Sequence, residues 1–150
     1  MPIEDLTLDV NVLISHNKSN IPCEDKHRNL MKAFESLVFL ALDDAGHIKQ
    51  LYVNRLGSNS LATKWLASLA SKSRIHLFPL GRIPKPLKVK FDETGFHWAD
   101  DKYVRLAMMT PDKHWVTEDT GINASHRKLI SDHVGVTTHD TQSACDLLGI

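Results

Sequence analysis

The chain has 150 residues, 42% hydrophobic and 24% charged, a composition typical of folded globular proteins that argues against disorder. Its length predicts a single domain, residues 1–150, with a substantial core. Lysine and arginine together number 18, as do aspartate and glutamate, which excludes a global charge able to attract nucleic acid or a membrane. Any such partner must be bound by a local patch.

Cysteine usage and hydropathy predict a cytoplasmic protein. Cys23 and Cys145 are far apart and no CxxC spacing occurs, so we expect a reducing compartment rather than a disulfide framework. The N-terminal residues lack the basic-then-apolar pattern of a secretion signal. No apolar run approaches the roughly 20 residues that span a bilayer. We therefore expect neither secretion nor a membrane partner.

The first predicted element is a buried parallel strand at residues 7–14 (TLDVNVLI), which is apolar and β-branched yet contains Asp9 and Asn11. Because burial of an isolated carboxylate is costly, Asp9 should lie at the strand's end, near water, a cation or a hydrogen-bond donor. Ligand chemistry in open α/β sheets collects at the carboxyl ends of strands. We therefore expect later segments to bring further acids to Asp9.

The next elements follow from periodicity and turn signals. A helix beginning near Glu24 precedes a strand at residues 37–42 and a turn at residues 43–46. Residues 48–53 alternate in polarity and are interpreted as the second strand of a hairpin, with the start of a helix as the alternative.

The middle of the chain contains a helix, a strand and a basic segment. Residues 58–60 offer an N-cap for a helix that ends near Ser71, and residues 75–78 form a short strand. Residues 81–90 (GRIPKPLKVK) are predicted to be extended rather than helical because they contain two prolines. This segment is also the clearest positive patch in the sequence.

The last third of the chain alternates helices and strands. The predicted elements are a helix at residues 98–109, a strand at 115–117, a helix from Asn123 to about Ser131, a strand at 134–137 and a closing helix, capped by Thr138, that ends at Leu148. This rhythm predicts an α/β fold with a parallel sheet flanked by helices.

Acidic residues occur at the edges of these elements in four places, namely Asp9, 43–44, 100–101 and 118–119. Taken singly, such acids usually complement a helix end or close a turn. Asp9 and Asp119 are harder to explain in this way, because both follow apolar strands that should be neighbours in one parallel sheet. Two converging carboxylates repel each other unless a cation holds them, and hard oxygen ligands select Mg²⁺ or Mn²⁺.

Three short segments resemble the best-kept motifs of PIN-domain nucleases. They are residues 8–13 (LDVNVL), 100–107 (DDKYVRLA) and 116–119 (VTED), and the order of the elements is also similar. The resemblance spans nearly the whole chain. It implies a three-layer α/β/α sandwich with a central, mainly parallel sheet and an acidic pocket. Such a pocket binds Mg²⁺ or Mn²⁺ and hydrolyses single-stranded RNA.

The resemblance assigns a role to each matching residue. Asp9, Asp100 and Asp119 would be the catalytic acids and metal ligands. Four neighbouring residues would support them by orienting ligands or water; they are Asn11, Asp101, Thr117 and Glu118. Between the two adjacent aspartates, Asp100 is favoured as the ligand because the family's acid lies about two turns before the small residue matched by Ala107.

One position departs from the family pattern. PIN domains usually have a further acid, often glutamate, after the first helix, and here Leu51 stands where we expect it. Asp43, Asp44 or Glu35 are the candidates to replace that acid. Otherwise the site would bind metal weakly.

The resemblance implies RNA as the partner, and a basic rim could bind its phosphates without reading sequence. The candidate contacts are Arg82, Lys85, Lys88 and Lys90, with Lys49 and Arg55 as further candidates. Trp98 could stack on an unpaired base, although taken alone it is better explained as a core residue. Bacterial members of the family often act as toxins with an antitoxin, or in phage defence. An antitoxin, another protein partner and a homodimer all stay open.

Three other interpretations of the sequence are less favoured. A PIN-like module without catalysis, binding RNA or protein, is the first alternative, and Leu51 favours it. A receiver-like signalling domain ranks low, because Asp9 stands alone at its strand end and no lysine follows residues 136–138. A zinc site is disfavoured because Cys23 and His27 form the only tight pair.

Overall fold

The centre of the fold is a sheet of parallel strands. In the computed structural model, which describes residues 3–17, 25–96 and 98–150 and the side chains of these except 15–17, the strands are β1 (Asp5–Leu8), β2 (Phe39–Asp43), β3 (Ile75–Phe78), β4 (His114–Val116) and β5 (Thr137–His139). Their order is β3-β2-β1-β4-β5, and every neighbouring pair is parallel. The central strand β1 is buried throughout, as expected for a parallel sheet covered on both faces.

Helices cover the sheet to form the three-layer α/β/α sandwich that the sequence predicts. They are α1 (Val10–Asn17), α2 (Asp25–Ser36), α3 (His47–Leu56), α4 (Leu61–Ser71), α5 (Lys85–Thr94), α6 (Asp101–Ala107), α7 (Ala124–Val134) and α8 (Thr141–Leu148). A 3₁₀ turn, Trp98–Asp100, leads directly into α6. The closest helix neighbours are α2 with α8, α1 with α3 and α4, and α5 with α7. In the described part of the chain, no helix is both long and apolar enough to cross a membrane.

The predicted strand at residues 7–14 is wrong beyond Leu8. The chain turns at Asp9, whose side chain accepts a hydrogen bond from the Asn11 N–H at 3.1 Å, and a helix begins at Val10. An aspartate in this position satisfies a free N–H group of the first turn. Val12 and Leu13 are fully buried, so packing of the helix outweighs the strand preference of its β-branched residues.

The predicted hairpin after β2 is also wrong, and the alternative of a helix is correct. Asp43, the last residue of β2, stabilises the start of α3, because its two carboxylate oxygens accept hydrogen bonds from the N–H groups of His47 at 2.9 Å and Ile48 at 2.7 Å. Ile48, Tyr52 and Leu56 are buried at four-residue spacing along one face of α3. This helix and α4 form the crossover that parallel strands require.

The segment at residues 81–90 is not extended throughout, because Lys85 begins α5. Pro84 is the N-cap and Pro86 lies in the first turn, where a missing N–H group costs no helical hydrogen bond. Leu87 and Phe91 then bury one face of the helix. Proline breaks a helix when it lies in the middle, but at these two positions it marks the start of one.

Several other boundaries differ from the prediction by a few residues. Ser60 caps α4 as predicted, and Asn123, predicted as the first residue of a helix, caps α7; each accepts a hydrogen bond from the third residue of its helix. Thr138, predicted as the last cap, lies within β5, and Asp140 caps α8 instead by accepting from the Ser143 N–H at 2.7 Å. The predicted start near Glu24 lies outside the described residues, as does Cys23.

Candidate active site

The carboxyl ends of β1 and β4 meet at the middle of the sheet. The two strands are neighbours, with Thr7 opposite Trp115 and Leu8 opposite Val116. The strand order reverses at this pair, since the chain proceeds outward to β2 and β3 on one side and to β5 on the other. In α/β folds a crevice opens at such a switch point, beyond the carboxyl ends of the strands, and ligands bind there.

Asp9 follows β1 directly and is only 3% exposed. Its backbone N–H donates to the Val116 carbonyl at 2.9 Å. Its Oδ1 accepts from the Asn11 N–H at 3.1 Å, and its Oδ2 accepts from Thr117 Oγ1 at 2.9 Å. Burial raises the pKa of Asp9, while the hydrogen bonds from Asn11 and Thr117 act to lower it. The carboxylate therefore has a fixed orientation in a setting that disfavours its charge.

Thr117 connects the two strand ends. Its hydroxyl donates to Asp9 and accepts from Asn11 Nδ2 at 3.4 Å and from the Asp119 N–H at 3.1 Å. Asn11 Oδ1 also accepts from the Glu118 N–H at 3.1 Å. The structure thus brings Asn11 and Thr117 to the side of Asp9, where they hold its carboxylate and the backbone leading to Asp119.

Asp100 and Asp119 complete a group of three acids around this crevice. Asp100 is buried at the end of the 3₁₀ turn, and its carboxyl is hydrogen-bonded to that of Asp119. Burial and the negative charges of Asp9 and Asp119 raise the pKa of Asp100 to about 7. Asp119 Oδ1 also accepts from the Gly121 N–H at 2.8 Å. We call Asp9, Asp100 and Asp119 the acidic cluster.

Two of the predicted supporting acids turn away from the acidic cluster. Glu118 Oε1 accepts from the Thr141 N–H at 2.9 Å at the start of α8 and lies 3.9 Å from His27 Nε2. Asp101 Oδ2 lies 3.9 Å from Arg105 Nη1, one turn along α6. The negative charge of Asp101 still affects the cluster, because it contributes to the raised pKa of Asp100.

Two tyrosines that sequence reasoning did not assign to the site hold the backbone on either side of Asp9. Tyr52 Oη donates to the Leu8 carbonyl, and Tyr103 Oη accepts from the Val10 N–H at 3.2 Å. Burial raises the pKa of each hydroxyl, so both stay neutral.

Arg55 carries a positive charge that acts on Asp9. It is exposed in the last turn of α3, and its charge acts to lower the pKa of Asp9 and of Tyr103. It lies four residues after Leu51, on the same side of the helix. That spacing was the available signal, since it places a cation next to the position where the family has an acid.

None of the proposed replacements for the acid at Leu51 joins the cluster in the described structure. Leu51 is partly buried against the core. Both carboxylate oxygens of Asp43 are engaged by the first N–H groups of α3. Asp44 and Glu35 are exposed. The acidic cluster therefore has three carboxylates rather than four.

The predicted RNA contacts separate into two groups. Arg82 and Lys88 line a pocket together with Trp98 and Arg105. Lys85 is exposed at the start of α5, and Lys90 Nζ lies 3.4 Å from Glu93 Oε2. Of these two groups, the first lines a surface pocket.

The donor chemistry of the acidic cluster fits a hard divalent cation, although its arrangement is not a finished ligand set. Three carboxylates surround one crevice, and burial together with the charges of Asp9 and Asp119 raises the pKa of Asp100 to about 7. A bound cation would relieve this repulsion. Within residues 3–17, 25–96 and 98–150, no three histidine, cysteine, aspartate or glutamate side chains are already placed to hold a metal ion.

Comparisons with models of known protein families and with curated protein sequences find no match to this chain.

Proposed function

We propose that this protein is a Mg²⁺- or Mn²⁺-dependent endoribonuclease that hydrolyses single-stranded RNA at the acidic cluster. One observation carries the proposal: three separate parts of the chain bring carboxylates to the switch point of the sheet, and the pKa of Asp100 rises to about 7 there. A cluster of like charges in a buried crevice is costly unless a cation binds. Perturbed groups of this kind concentrate at functional sites.

Each residue of the cluster has a chemical task under this proposal. Asp9, Asp100 and Asp119 would hold the metal, which when bound supplies a positive charge to stabilise the scissile phosphate in the transition state. Thr117 and Asn11 keep the Asp9 carboxylate oriented. The pKa of Asp100, raised to about 7, lets this carboxyl release its proton near neutral pH, as metal binding requires.

A cleavage assay tests this directly. Purified protein is incubated with single-stranded RNA and Mn²⁺, beside Asp9→Asn, Asp119→Asn and the control Asp44→Asn, which alters an exposed acid in the turn after β2. We expect cleavage by wild type and by Asp44→Asn, and none by the other two variants. Cleavage that survives in Asp9→Asn and Asp119→Asn would assign the activity to a contaminant or to another site.

A second measurement detects the metal without relying on activity. A ligand that binds only the native state stabilises it by mass action, so Mn²⁺ should raise the thermal midpoint of wild type in a saturable way. Asp44→Asn should respond equally and Asp9→Asn should not. A wild-type midpoint that does not respond to Mn²⁺ or Mg²⁺ contradicts the proposal.

The alternative function is a module that binds RNA or a protein partner without cleaving it. Two observations favour it: Leu51 stands in place of an acid, and the cation of Arg55 already acts on Asp9. Under this alternative, RNA is retained on a filter but is not cut in any divalent metal. The receiver-like alternative is excluded, since those folds have the strand order 2-1-3-4-5 and this sheet has 3-2-1-4-5.

A further inference from the structure

A second pocket lies next to the acidic cluster and is defined here as the basic pocket. It is lined by three cationic side chains, one carboxylate and two apolar side chains, namely Arg82, Lys88, Arg105, Asp101, Ile83 and Trp98. Its volume is about 410 Å³, within the range of about 300–1,000 Å³ found for ligand sites. The whole chain has no net charge, so the excess of positive charge is local.

Trp98 presents a prepared aromatic surface to this pocket. Its indole Nε1 donates to Asp92 Oδ1 at 2.9 Å, and its ring packs edge-on against Phe91 and Phe96 at 5.8 and 6.3 Å between centroids. The side chain nevertheless stays 37% exposed. Because the N–H group is already satisfied, the ring can offer a ligand only its apolar π surface. Stacking on that surface would accept any base.

Arg105 is fixed in place at the wall of the pocket. Its Nε donates to the Gly81 carbonyl at 2.8 Å, while the Gly81 N–H donates to the Arg105 carbonyl at 2.8 Å. A Cβ at Gly81 would lie 2.9 Å from Met108 Sδ, so a side chain there would require the flexible Met108 side chain to move. The two hydrogen bonds between Gly81 and Arg105 hold the chain that leads into Arg82. The guanidinium of Arg105 is therefore positioned before any ligand arrives.

Arg82 and Lys88 supply charge that the protein itself does not neutralise. Both are exposed, and among the described residues neither has an acidic partner. Lys90, by contrast, is paired with Glu93. Cations gathered around an aromatic ring match an unpaired nucleotide, which has a flat base and a negative phosphate.

The basic pocket and the acidic cluster share the start of α6. Asp101 lines the pocket while the preceding residue, Asp100, belongs to the cluster, and consecutive Cα atoms are about 3.8 Å apart. The pocket and the cluster are therefore adjacent along the chain, as a subsite for a neighbouring nucleotide requires.

We infer that the basic pocket binds one unpaired nucleotide of the substrate, with its base stacked on Trp98 and its phosphate held by Arg82, Lys88 and Arg105. The inference rests on the proposed ribonuclease function for its assignment to RNA. It adds a defined subsite, without base selectivity, that positions the strand beside the acidic cluster.

The test measures binding without cleavage. Fluorescence anisotropy follows a labelled hexauridylate in EDTA, with a hexathymidylate of DNA as the second probe to separate RNA from nucleotide binding in general. We expect Trp98→Leu to weaken hexauridylate binding about tenfold and Trp98→Phe to keep it within about twofold, since phenylalanine retains an aromatic face. Lys88→Ala should make the salt dependence shallower by about 0.7 in the log–log slope, as loss of one phosphate contact does.

Lys72→Ala is the matched control, because Lys72 is exposed at the end of α4 and does not line the pocket. Its binding and salt slope should equal those of wild type. Thermal unfolding of each variant checks that Trp98→Leu is folded, and Lys88→Ala tests the pocket independently if it is not. Equal binding by wild type, folded Trp98→Leu and Lys88→Ala overturns the inference, as does absence of binding by wild type.

The binding and cleavage experiments together distinguish nucleotide binding in the basic pocket from nuclease activity at the acidic cluster. Binding that depends on Trp98, in a protein that cleaves no RNA with Mn²⁺, supports the pocket and rejects the nuclease. Cleavage that depends on Asp9, with binding and KM unchanged in Trp98→Leu and Lys88→Ala, supports the nuclease and rejects the pocket. Stronger dependence on Trp98 for hexathymidylate than for hexauridylate would reject the assignment to RNA.

Discussion

Thr117 donates its hydroxyl hydrogen to the Asp9 carboxylate at 2.9 Å, across the junction of two strands that are 108 residues apart in sequence. This bond orients the first acid of the cluster. The same hydroxyl accepts from Asn11 and from the backbone of Asp119, so a single oxygen links the ends of β1 and β4.

Replacement of Thr117 by valine is expected to destabilise the protein by about 1–3 kcal/mol, because it leaves buried polar groups of Asp9 and Asp119 unsatisfied. Thr7→Val is the matched control: Thr7 is buried in β1 with a hydroxyl that has no hydrogen-bond partner in the described structure. That variant should be neutral or stabilising. Urea unfolding measures both, and equal effects of the two substitutions would show that the Thr117 bond contributes nothing.

The raised pKa of Asp100 predicts a pH-dependent stability in EDTA. Folding moves this pKa from 3.8 to about 7, so between these values the native state holds a proton that the unfolded state releases. The contribution of Asp100 to stability is thus present below pH 3.8 and is lost as the pH rises through about 7. Asp100→Asn should remove this loss, and should therefore gain stability relative to wild type as the pH rises from 3.8 to about 7. A constant difference across that range contradicts the assignment.

The lowered pKa of His139 predicts that stability changes with pH in the opposite direction. Burial, followed by the neighbouring charges of His114 and Arg127, lowers the pKa of His139 from 6.5 to about 4. Between these values the unfolded state binds a proton that the native state does not, so stability falls as the pH decreases from 6.5 toward 4. In the Asp100→Asn background this loss should be visible by urea unfolding. Adding His139→Gln should flatten it, whereas His47→Gln, at an exposed position, should not.

Introduction of an acid at Leu51 tests the departure from the family pattern. If the site lacks one ligand, Leu51→Glu should tighten Mn²⁺ binding and raise cleavage on the order of tenfold, the scale on which groups around a metal site alter its affinity. Gln50→Glu adds the same charge to an exposed neighbour and should change neither. Metal titration of the thermal midpoint and the RNA assay provide the measurements. Equal responses of the two variants would mean that only the added net charge matters.

The sequence predicts the layers and the meeting of Asp9 with Asp119 because both follow from patterns along single elements. Apolar segments before these acids indicate neighbouring parallel strands, and that neighbourhood is confirmed. The cap residues Ser60 and Asn123 are likewise local signals, since each bonds only three residues ahead.

What the sequence does not predict depends on contacts between distant segments or on side-chain direction. Tyr52 and Tyr103 reach the backbone beside Asp9 from 44 and 93 residues away, and no local pattern reports such contacts. Glu118 and Asp101 are adjacent to cluster residues in the chain yet point elsewhere, because neighbouring side chains leave the backbone in different directions. Pro84 and Pro86 predict an extended segment but lie at the start of α5, because a proline stops or starts a helix according to its position in the turn.

The strand order reverses between β1 and β4. The boundary between these two strands in the sheet is therefore also the boundary between two continuous halves of the chain. Strands β1 to β3 all come from residues before 79, and β4 and β5 come from residues after 113. Asp9 belongs to the first half, and Asp100 and Asp119 belong to the second. A chain that is still being synthesised, or one cut between β3 and α5, therefore holds only part of the acidic cluster. The complete cluster exists only after the two halves have docked, which ties any activity of the site to complete folding.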